Sequence, residues 1–507
     1  MPTHEVTNQA PPLVGYNLFT CDRALGEALE REGAAWASDR AHKLGGILGG
    51  EQAIEWAFAA NANPPVLQTH DARGQRIDSV QFHPAYHELM NLSVAHGLHN
   101  LPWSEPQAGA HVARAANFFL ASQNEQGHGC PISMTYACVP ALRQQPDVAK
   151  AWAPRIASTA YDRRLLPADQ KTGVLIGMAM TEKQGGSDVR ANTSRAEPTS
   201  KGGPGREYRL TGHKWFCSAP MCDAFLVLAQ APGGLSCFLL PRWTPDDRLN
   251  NFNLQRLKNK LGNRSNASSE IEFENAYALL IGEEGRGVRT IVEMVNHTRL
   301  DCTLGSSGIL RAALVQAIHH TRHRAAFGKL LVEQPLMQNV LADLCVESEA
   351  ATLLAMRLAR AYDRQDESEA RFRRIATAVA KYWVCKRTPQ AVSELLECLG
   401  GNGYVEDSSL PRLYRESPLN SIWEGSGNVI VLDVLRAISH ETGTIDALLD
   451  EIDLARGNDG RFDEYAAAIR ADWQSLAGNV PQARRLVERL ALALQGSLVV
   501  RYSPQSM

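Results

Sequence analysis

The sequence predicts an α+β protein in which a β domain lies between helical regions. Apolar residues recur with the helical period of 3.6 in residues 1–170, most clearly at 108–123. Between residues 171 and 285 the apolar runs become short and alternating. The helical period returns at 330–362 and 376–399, in long segments typical of a bundle. The sequence therefore predicts four parts: an N-terminal helical domain (1–170), a central β domain (171–285), a C-terminal four-helix bundle (286–440) and an extra helical region (441–507).

Local signals support single elements within this plan. Asp22 is predicted to cap a helix, because Leu25 and Leu29 follow it with helical spacing. Five short segments carry the alternation and the flanking Gly or Pro turns that are typical of strands: 174–180, 208–215, 224–229, 236–240 and 270–273.

Other segments predict connections. Residues 63–65 and 70–74 are rich in Pro, Asp and Gly and are predicted as loops. The run Gly-Glu-Glu-Gly-Arg-Gly at 282–287 lacks the Lys-Ser/Thr pair of a phosphate-binding P-loop. We therefore predict that it is a hinge between the β domain and the bundle.

Composition limits the classes of function. A chain of 507 residues is too long for a single core. A formal net charge of -3 excludes a chain-wide attraction to nucleic acid or to membranes. Ten cysteines without any Cys-x-x-Cys pair predict reduced thiols. Neither a secretory signal nor an apolar stretch of membrane-spanning length is found, so the sequence predicts a cytoplasmic protein without a membrane anchor.

The segment Ser-Ile-Trp-Glu-Gly-Ser-Gly-Asn at 421–428 is the strongest candidate for chemistry. A carboxylate beside a large ring loses solvation, so the pKa of Glu424 is predicted to rise next to Trp423. The small residues from Gly425 to Gly427 allow a flat ligand or a phosphate to approach the main chain. The alternative is a surface glutamate at the start of a helix over 426–436.

Two further segments are candidates for the same functional site. They read Met-Ala-Met-Thr-Glu-Lys-Gln-Gly-Gly-Ser-Asp at 178–188 and Gly-His-Lys-Trp-Phe-Cys-Ser at 212–218. In this order and at these separations, the three segments resemble the flavin-site motifs of acyl-CoA dehydrogenases, and the resemblance covers roughly residues 90–436. It implies an acyl-CoA dehydrogenase-like fold, FAD as cofactor, an acyl-CoA thioester as substrate and a homotetramer. It leaves the electron acceptor open.

A closer likeness extends along nearly the whole chain. Residues 17–33, the Lys-Gln variant at 183–184, residues 260–268 and the Trp-Glu-Gly-Ser-Gly-Asn form at 423–428 resemble the bacterial alkylation-response flavoproteins within this superfamily. That branch implies weak dehydrogenation and binding of double-stranded DNA. An alternative function follows from it: a flavin-containing, DNA-binding protective protein with vestigial redox activity.

The resemblance implies one catalytic residue. α,β-Dehydrogenation needs a base for the α-proton and a flavin N5 that accepts the β-hydride. Glu424 falls on the base position of the family, whereas some members carry the base near 298–299, where this chain has Thr298. Trp423 is bulkier than the tyrosine that often precedes the base, so we expect a narrow acyl cavity and a preference for short or branched acyl groups such as isovaleryl.

The resemblance also implies the cofactor contacts. An arginine suits the pyrophosphate because its planar fork pairs with phosphate oxygens, and Arg324 is expected to do so in a neighbouring subunit's FAD. From the residues alone, strand-end hydrogen bonding for Thr181 and a helix C-cap turn at 400–403 remain alternatives. The implied cofactor-binding residues are Met180, Thr181, Ser187, Phe216, Cys217, Ser218, Arg324, Phe327, Gly400, Gly401, Trp423, Gly425, Ser426 and Asn428.

Duplex DNA would need a local basic cluster. Residues 441–507 contain seven Arg and no Lys against ten Asp or Glu, and the basic residues gather late, so Arg484, Arg485 and Arg489 are the candidate DNA contacts. The chain ends earlier than we expect for such relatives, so part of a basic surface is expected to be missing. A second basic run lies in the bundle, with a solvated helix face as the alternative: Arg371, Arg373, Arg374, Lys381, Lys386 and Arg387.

Histidines at 319, 320 and 323 do not predict a metal site. A metal site would need a third and a fourth ligand at positions that fit its coordination, and the sequence offers none, so no metal is expected. We interpret this stretch as the helix that leads to the flavin phosphates.

Overall fold

A computed structural model describes residues 3–504 of the chain. Helices dominate the N-terminal and C-terminal parts, as the sequence predicts. In chain order, the α-helices of this range are α1 (Arg23–Leu29), α2 (Ser38–Leu48), α3 (Glu51–Ala62), α4 (Pro84–Ala95), α5 (Leu101–Ser104), α6 (Ala110–Asn124), α7 (Gly129–Leu142), α8 (Pro146–Ile156), α9 (Gly287–His323), α10 (Pro335–Asp363), α11 (Glu367–Glu397), α12 (Gly401–Tyr404), α13 (Leu410–Glu416), α14 (Gly427–His440), α15 (Thr444–Asp453), α16 (Gly460–Ala477) and α17 (Ala483–Tyr502).

Strands concentrate in the middle of the chain. The strands of the described range are β1 (Val66–His70), β2 (Arg76–Gln81), β3 (Ile176–Ala179), β4 (Arg195–Pro198), β5 (Glu207–Ser218), β6 (Ala224–Ala231), β7 (Gly234–Pro241), β8 (Phe252–Leu257), β9 (Ser268–Ile281), β10 (Ala325–Ala326) and β11 (Lys329–Leu330). All five predicted strand segments fall on strands. The predicted α+β class is confirmed.

The central strands form one sheet with the order β3-β6-β4-β5-β9-β7, and β8 pairs with β9. An additional pairing of β6 with β7 closes it into a barrel-like sheet. The longest ladder joins β5 and β9 antiparallel, and its register shifts between Lys214 and Cys217. Such a bulge re-aims the side chains that it carries, which here are Trp215 and Phe216.

Contacts divide the chain into two compact units. The first unit comprises residues up to 54, residues 108–124 and residues from 299 on; the second comprises 55–107 and 125–298. In the first unit, α11 packs against α10, α14, α15 and α17. Buried apolar side chains such as Leu314, Val392 and Leu413 form part of its core. The predicted four-part division of the chain remains a prediction.

One difference from the sequence prediction is a hairpin, β1–β2, inside the region predicted as helices and loops. The 70–74 turn is its tip. Asp78 accepts a hydrogen bond from the Leu254 N–H at 3.0 Å, and the Arg76 guanidinium donates to the Leu254 carbonyl. The sequence of this hairpin lacks the apolar alternation of a strand, because polar contacts with β8 hold it in place.

Other local predictions are confirmed. Asp22 is the N-cap of α1, and its side chain accepts a hydrogen bond from the Leu25 N–H at 3.1 Å. The histidine stretch at 319–323 lies in the last turns of α9. Among the helices of residues 3–504, none combines the length and the apolar character that crossing a bilayer requires.

Candidate active site

Glu424 lies within the predicted segment 421–428, in the irregular connection between a 3-10 turn (Leu419–Ser421) and α14. Its backbone has a φ of +59°, and Gly425 follows with a φ of +104°. A left-handed conformation at a residue with a side chain costs roughly 1–3 kcal/mol and persists only where the surroundings impose it. The Glu424 side chain is half-buried. The surroundings of this loop must therefore account for its conformation.

Two cations bind the main chain of this loop. Lys381, on α11, is only 1% exposed, and its Nζ donates to the carbonyls of Trp423 at 2.7 Å and of Gly425 at 2.5 Å. Arg299, on α9, donates through Nε to the Glu424 carbonyl at 3.0 Å. Three consecutive carbonyls are thus bound by positive charge, which accounts for the left-handed turn.

Arg299 is itself held in place by a carboxylate. Its guanidinium lies 2.7 Å from Asp433 on α14, and Arg374 on α11 contacts the same carboxylate at 2.9 Å. Burial would raise the pKa of Asp433, but the charges of Arg299 and Arg374 outweigh it and lower that pKa. The charged form of Asp433 therefore links α9, α11 and α14 around the loop.

Trp423 is also fixed. Its indole Nε1 donates to the Asn420 side-chain oxygen at 2.9 Å. Ser426 is the N-cap residue of α14 but makes no side-chain capping bond, and both Ser426 and Asn428 are exposed. The polar groups at the start of α14 therefore remain accessible to a ligand.

The second unit holds the segment at 178–188. Thr181 follows β3, and its carbonyl accepts a hydrogen bond from the Trp215 N–H at 2.8 Å. Glu182 and Lys214 are both 0% exposed and form an ion pair at 2.8 Å. Burial would raise the pKa of Glu182, but Lys214 and the Thr193 N–H lower it to about 2. A buried ion pair thus fixes the chain at the residue after Thr181, while Met180 and Thr181 are half-buried.

The β5 bulge presents the neighbouring predicted residues. Phe216 is 52% exposed, whereas Cys217 is fully buried and burial raises the pKa of its thiol to about 12. The Ser218 hydroxyl lies 3.5 Å from the Ser268 hydroxyl. Ser187 is exposed. An exposed ring beside a half-buried hydroxyl suits a planar ligand, whereas Cys217 offers main-chain atoms only.

A cavity of about 390 Å³ in the first unit joins Arg324 with Gly400 and Gly401. Gly400 has φ +58° and ψ -139°, a conformation that residues with a side chain avoid. A Cβ atom built on either glycine would meet no atom within 4 Å, so the main chain there faces open space. The cavity lining is His320, Arg324, Ala325, Ala326, Leu331, Met337, Glu397, Cys398, Leu399, Gly400, Gly401 and Asn402.

Phe327 follows Ala326, which is a residue of the cavity lining. It is 100% exposed at the tip of the β10–β11 hairpin, with a φ of +54° followed by Gly328 at +79°. Positive φ at both central residues is what a two-residue hairpin turn of type I′ requires. Local turn chemistry therefore explains this left-handed residue.

The predicted DNA contacts lie at the start of α17. Arg484 donates to the Tyr382 hydroxyl at 3.1 Å, Arg485 is exposed, and Arg489 lies 3.2 Å from Asp472. In the second basic run, Lys381 is buried and not available to a phosphate. The interpretation of that run as one solvated helix face is therefore wrong at Lys381.

The sequence prediction gave no role in the predicted sites to three residues that the structure connects to them. They are Lys381 and Lys214, described above, and Asn8, whose carbonyl accepts a hydrogen bond from the Arg324 guanidinium. A single lysine inside the apolar stretch from Ala378 to Val384 was a usable signal, since it predicts a buried cation with partners. Asn8 gave no such signal. In residues 3–504, no cluster of three or more His, Cys, Asp or Glu fits a metal ion.

Family comparisons match three consecutive stretches of the chain. The acyl-CoA dehydrogenase middle domain matches residues 177–276, and the acyl-CoA dehydrogenase C-terminal domain matches residues 285–439. The chain belongs to the acyl-CoA dehydrogenase superfamily. Within this superfamily, the N-terminal domain of the adaptive response protein AidB matches residues 8–163.

Similar proteins agree with this assignment to the acyl-CoA dehydrogenases. The chain is 48% identical over 508 residues to a putative acyl-CoA dehydrogenase AidB of Escherichia coli, with 100% of this chain and 93% of that protein covered. It is 32% identical to acyl-CoA dehydrogenase family member 11 of Caenorhabditis elegans, over 86% of this chain and 72% of that protein.

Solved structures of acyl-CoA dehydrogenase relatives share the fold. The crystal structure of Caenorhabditis elegans ACDH-11 in complex with C11-CoA matches with a TM-score of 0.89 and 27% identity, over 98% of this chain and 90% of that one. The apo form of Bd2924 matches with the same TM-score and identity, over 98% and 99%. The predicted acyl-CoA dehydrogenase-like fold and the likeness to AidB are confirmed.

Proposed function

We propose that this chain is an FAD-dependent acyl-CoA dehydrogenase of the AidB type, acting weakly on short or branched acyl-CoA thioesters. Glu424 is the base. The observation that supports this proposal is the left-handed conformation of Glu424, imposed by Lys381 and Arg299 on the surrounding carbonyls. Strain of this kind is typical of functional residues, since folding alone gains nothing from it.

The residues of the chain fit FAD. At the cavity of the first unit, the open main chain of Gly400 and Gly401 and the guanidinium of Arg324 suit phosphate oxygens. In the second unit, exposed Phe216 and the hydroxyls of Thr181 and Ser218 suit the ring system. We propose that Arg324 and the two glycines bind the phosphates of a neighbouring subunit's FAD in a homotetramer.

The chain's own groups have defined tasks in this proposal. When bound, FAD supplies the acceptor for the β-hydride. A carboxylate oxygen of Glu424 takes the α-proton, and the left-handed turn determines the direction in which that carboxylate points. Trp423, fixed by Asn420, limits the room for the acyl chain and favours short or branched substrates. We also propose a cytoplasmic location, which the free cysteines support.

The test begins with the purified protein. Its absorption spectrum before and after incubation with FAD reports whether flavin binds, and anaerobic titration with isovaleryl-CoA reports whether that flavin is reduced. We expect a flavin spectrum and slow, complete bleaching. A protein that stays colourless after reconstitution would refute cofactor binding, and bound flavin that no acyl-CoA bleaches would refute the activity.

A second candidate function is binding of double-stranded DNA in an alkylation response, with redox activity vestigial. It is favoured by exposed Arg484 and Arg485, side by side at the start of α17. The likeness to AidB supports the same idea. Affinity for a DNA duplex should fall steeply as salt rises, and reversal of both charges should weaken it. Absence of binding at low salt, or unchanged binding after the charge reversals, would reject it.

A further inference from the structure

Lys381 is a buried lysine at the base loop, which we define as residues 421–428. It lies on α11 at 1% exposure, and its Nζ reaches two carbonyls that flank Glu424 on either side. No flavin or substrate contact is needed to explain its position. Its contacts instead go to the main chain of the loop.

We propose that Lys381 is a positioning residue, which directs the Glu424 carboxylate by binding the carbonyls of Trp423 and Gly425. The proposal rests on the proposed function, since it names what sets the geometry of that base. Lys381 would itself transfer no proton.

Hydrogen bonds to main-chain carbonyls fix the peptide planes on both sides of Glu424. When one ammonium binds the carbonyls of residues 423 and 425, it fixes the peptide unit before Glu424 and the one between Gly425 and Ser426. Arg299 binds the carbonyl of Glu424 itself. The φ of +59° at Glu424 then follows from these three bonds, and with it the direction of its Cα–Cβ bond.

The two cations have different surroundings. Arg299 pairs with Asp433, so it is held whether or not the loop is in place. Lys381 donates to Trp423 and Gly425 and lies near the thiols of Cys302 and Cys385, whose pKa values burial raises. A buried ammonium with carbonyl partners is costly unless the carbonyls stay in place. Lys381 and the loop conformation therefore stabilise each other.

The test compares Lys381→Met with a matched control, Lys386→Met, five residues later on α11. Methionine keeps the length of the side chain and removes the charge and all donors. Lys386 is half-buried, lies over the Tyr382 ring at 5.9 Å and packs near Gly427, but it donates no hydrogen bond to a carbonyl of the loop. Its loss therefore removes a similar charge from the same neighbourhood and leaves the bonds to the carbonyls of Trp423 and Gly425 in place.

The first readout does not depend on flavin. In protein labelled with 5-fluorotryptophan, the Trp423 resonance is assigned by comparison with Trp423→Phe. We expect Lys381→Met to shift or broaden that resonance, and Lys386→Met to leave it in place. An unmoved Trp423 resonance in Lys381→Met would overturn the proposal.

The second readout is the rate of flavin reduction by isovaleryl-CoA, measured per bound flavin. In Lys381→Met we expect about 100-fold slower reduction with half-saturation changed less than about threefold, because misplacing a catalytic group lowers the rate more than the binding. The isotope effect with α-deuterated isovaleryl-CoA should rise. Reduction at the wild-type rate and isotope effect would overturn the proposal.

Lys381→Gln provides a graded variant, since its amide keeps donors without charge. Its rate should lie between those of wild type and Lys381→Met. If neither variant folds, Lys381 belongs to the core of the bundle and the proposal is overturned. If wild-type flavin is not reduced, the proposed function fails, while the Trp423 resonance still decides whether Lys381 holds the loop.

Discussion

Two buried lysines hold the two predicted parts of the site, and they do so differently. In the second unit, Lys214 binds the carboxylate of Glu182, the residue after Thr181, at 2.8 Å and the Leu228 carbonyl at 2.7 Å. In the first unit, Lys381 binds main-chain carbonyls beside Glu424. The segment at 178–188 is supported by a buried ion pair in the sheet. The segment at 421–428 is supported by a cation that binds the carbonyls of an irregular loop. Similar buried cations can therefore serve stability in one place and geometry in another.

The largest effect on stability should come from Lys214→Met. Removing it leaves Glu182 buried without its counter-ion, which typically costs 3–5 kcal/mol. Lys381→Met leaves neutral carbonyls behind and should cost only about 1–3 kcal/mol. Urea unfolding of both variants, beside the exposed control Lys201→Met, measures the difference. Equal losses in the two variants would remove the distinction between them.

Acid should weaken the ion pair of the second unit. The pKa of Glu182 is lowered from 4.5 to about 2. Its contribution to the free energy of unfolding is therefore complete above pH 4.5 and is lost as pH falls toward 2. Over that window one such carboxylate changes the unfolding free energy by about 1.4 kcal/mol per pH unit. Glu182→Gln should reduce the measured slope by that amount, and Glu274→Gln, at an exposed position, should leave it unchanged. A slope that is the same in Glu182→Gln would contradict the assigned pKa.

Cofactor affinity should respond at the cavity of the first unit. Arg324→Gln removes a charge-assisted bond to phosphate worth about 1.5–3 kcal/mol, which corresponds to roughly 10- to 150-fold weaker FAD binding. Arg322→Gln, two residues earlier and exposed, serves as the control. FAD titration followed by fluorescence measures both. Unchanged affinity in Arg324→Gln would remove this residue from the cofactor site.

The smallest effect is expected at Phe327, another left-handed residue of the first unit. Phe327→Asn creates the Asn-Gly pair that a two-residue hairpin turn favours, so stability should stay equal or rise by less than about 1 kcal/mol. Glu424→Asn should likewise keep stability, since asparagine tolerates the left-handed region. Thermal unfolding of the two variants tests this, and a loss of several kcal/mol at Phe327 would show that the hairpin tip is not explained by turn chemistry.

The sequence was informative where local chemistry decides the structure. The Asp22 cap, the strands of the sheet and the long bundle helices follow from capping and periodicity, and the position of Glu424 follows from its motif. The β1–β2 hairpin was missed because contacts of Arg76 and Asp78 with β8 hold it. The conformation of Glu424 was missed for the same reason: the cations that impose it come from positions 299 and 381, far away in sequence.

The most direct test of the central claim is anaerobic mixing of isovaleryl-CoA with wild type and Glu424→Gln, both loaded equally with FAD. Glutamine keeps the size of the side chain and cannot accept the α-proton. We predict that the wild-type flavin is reduced and that the variant is reduced about 100- to 10,000-fold more slowly, the range expected for loss of a general base. Equal rates of reduction in the two proteins would contradict the role of Glu424.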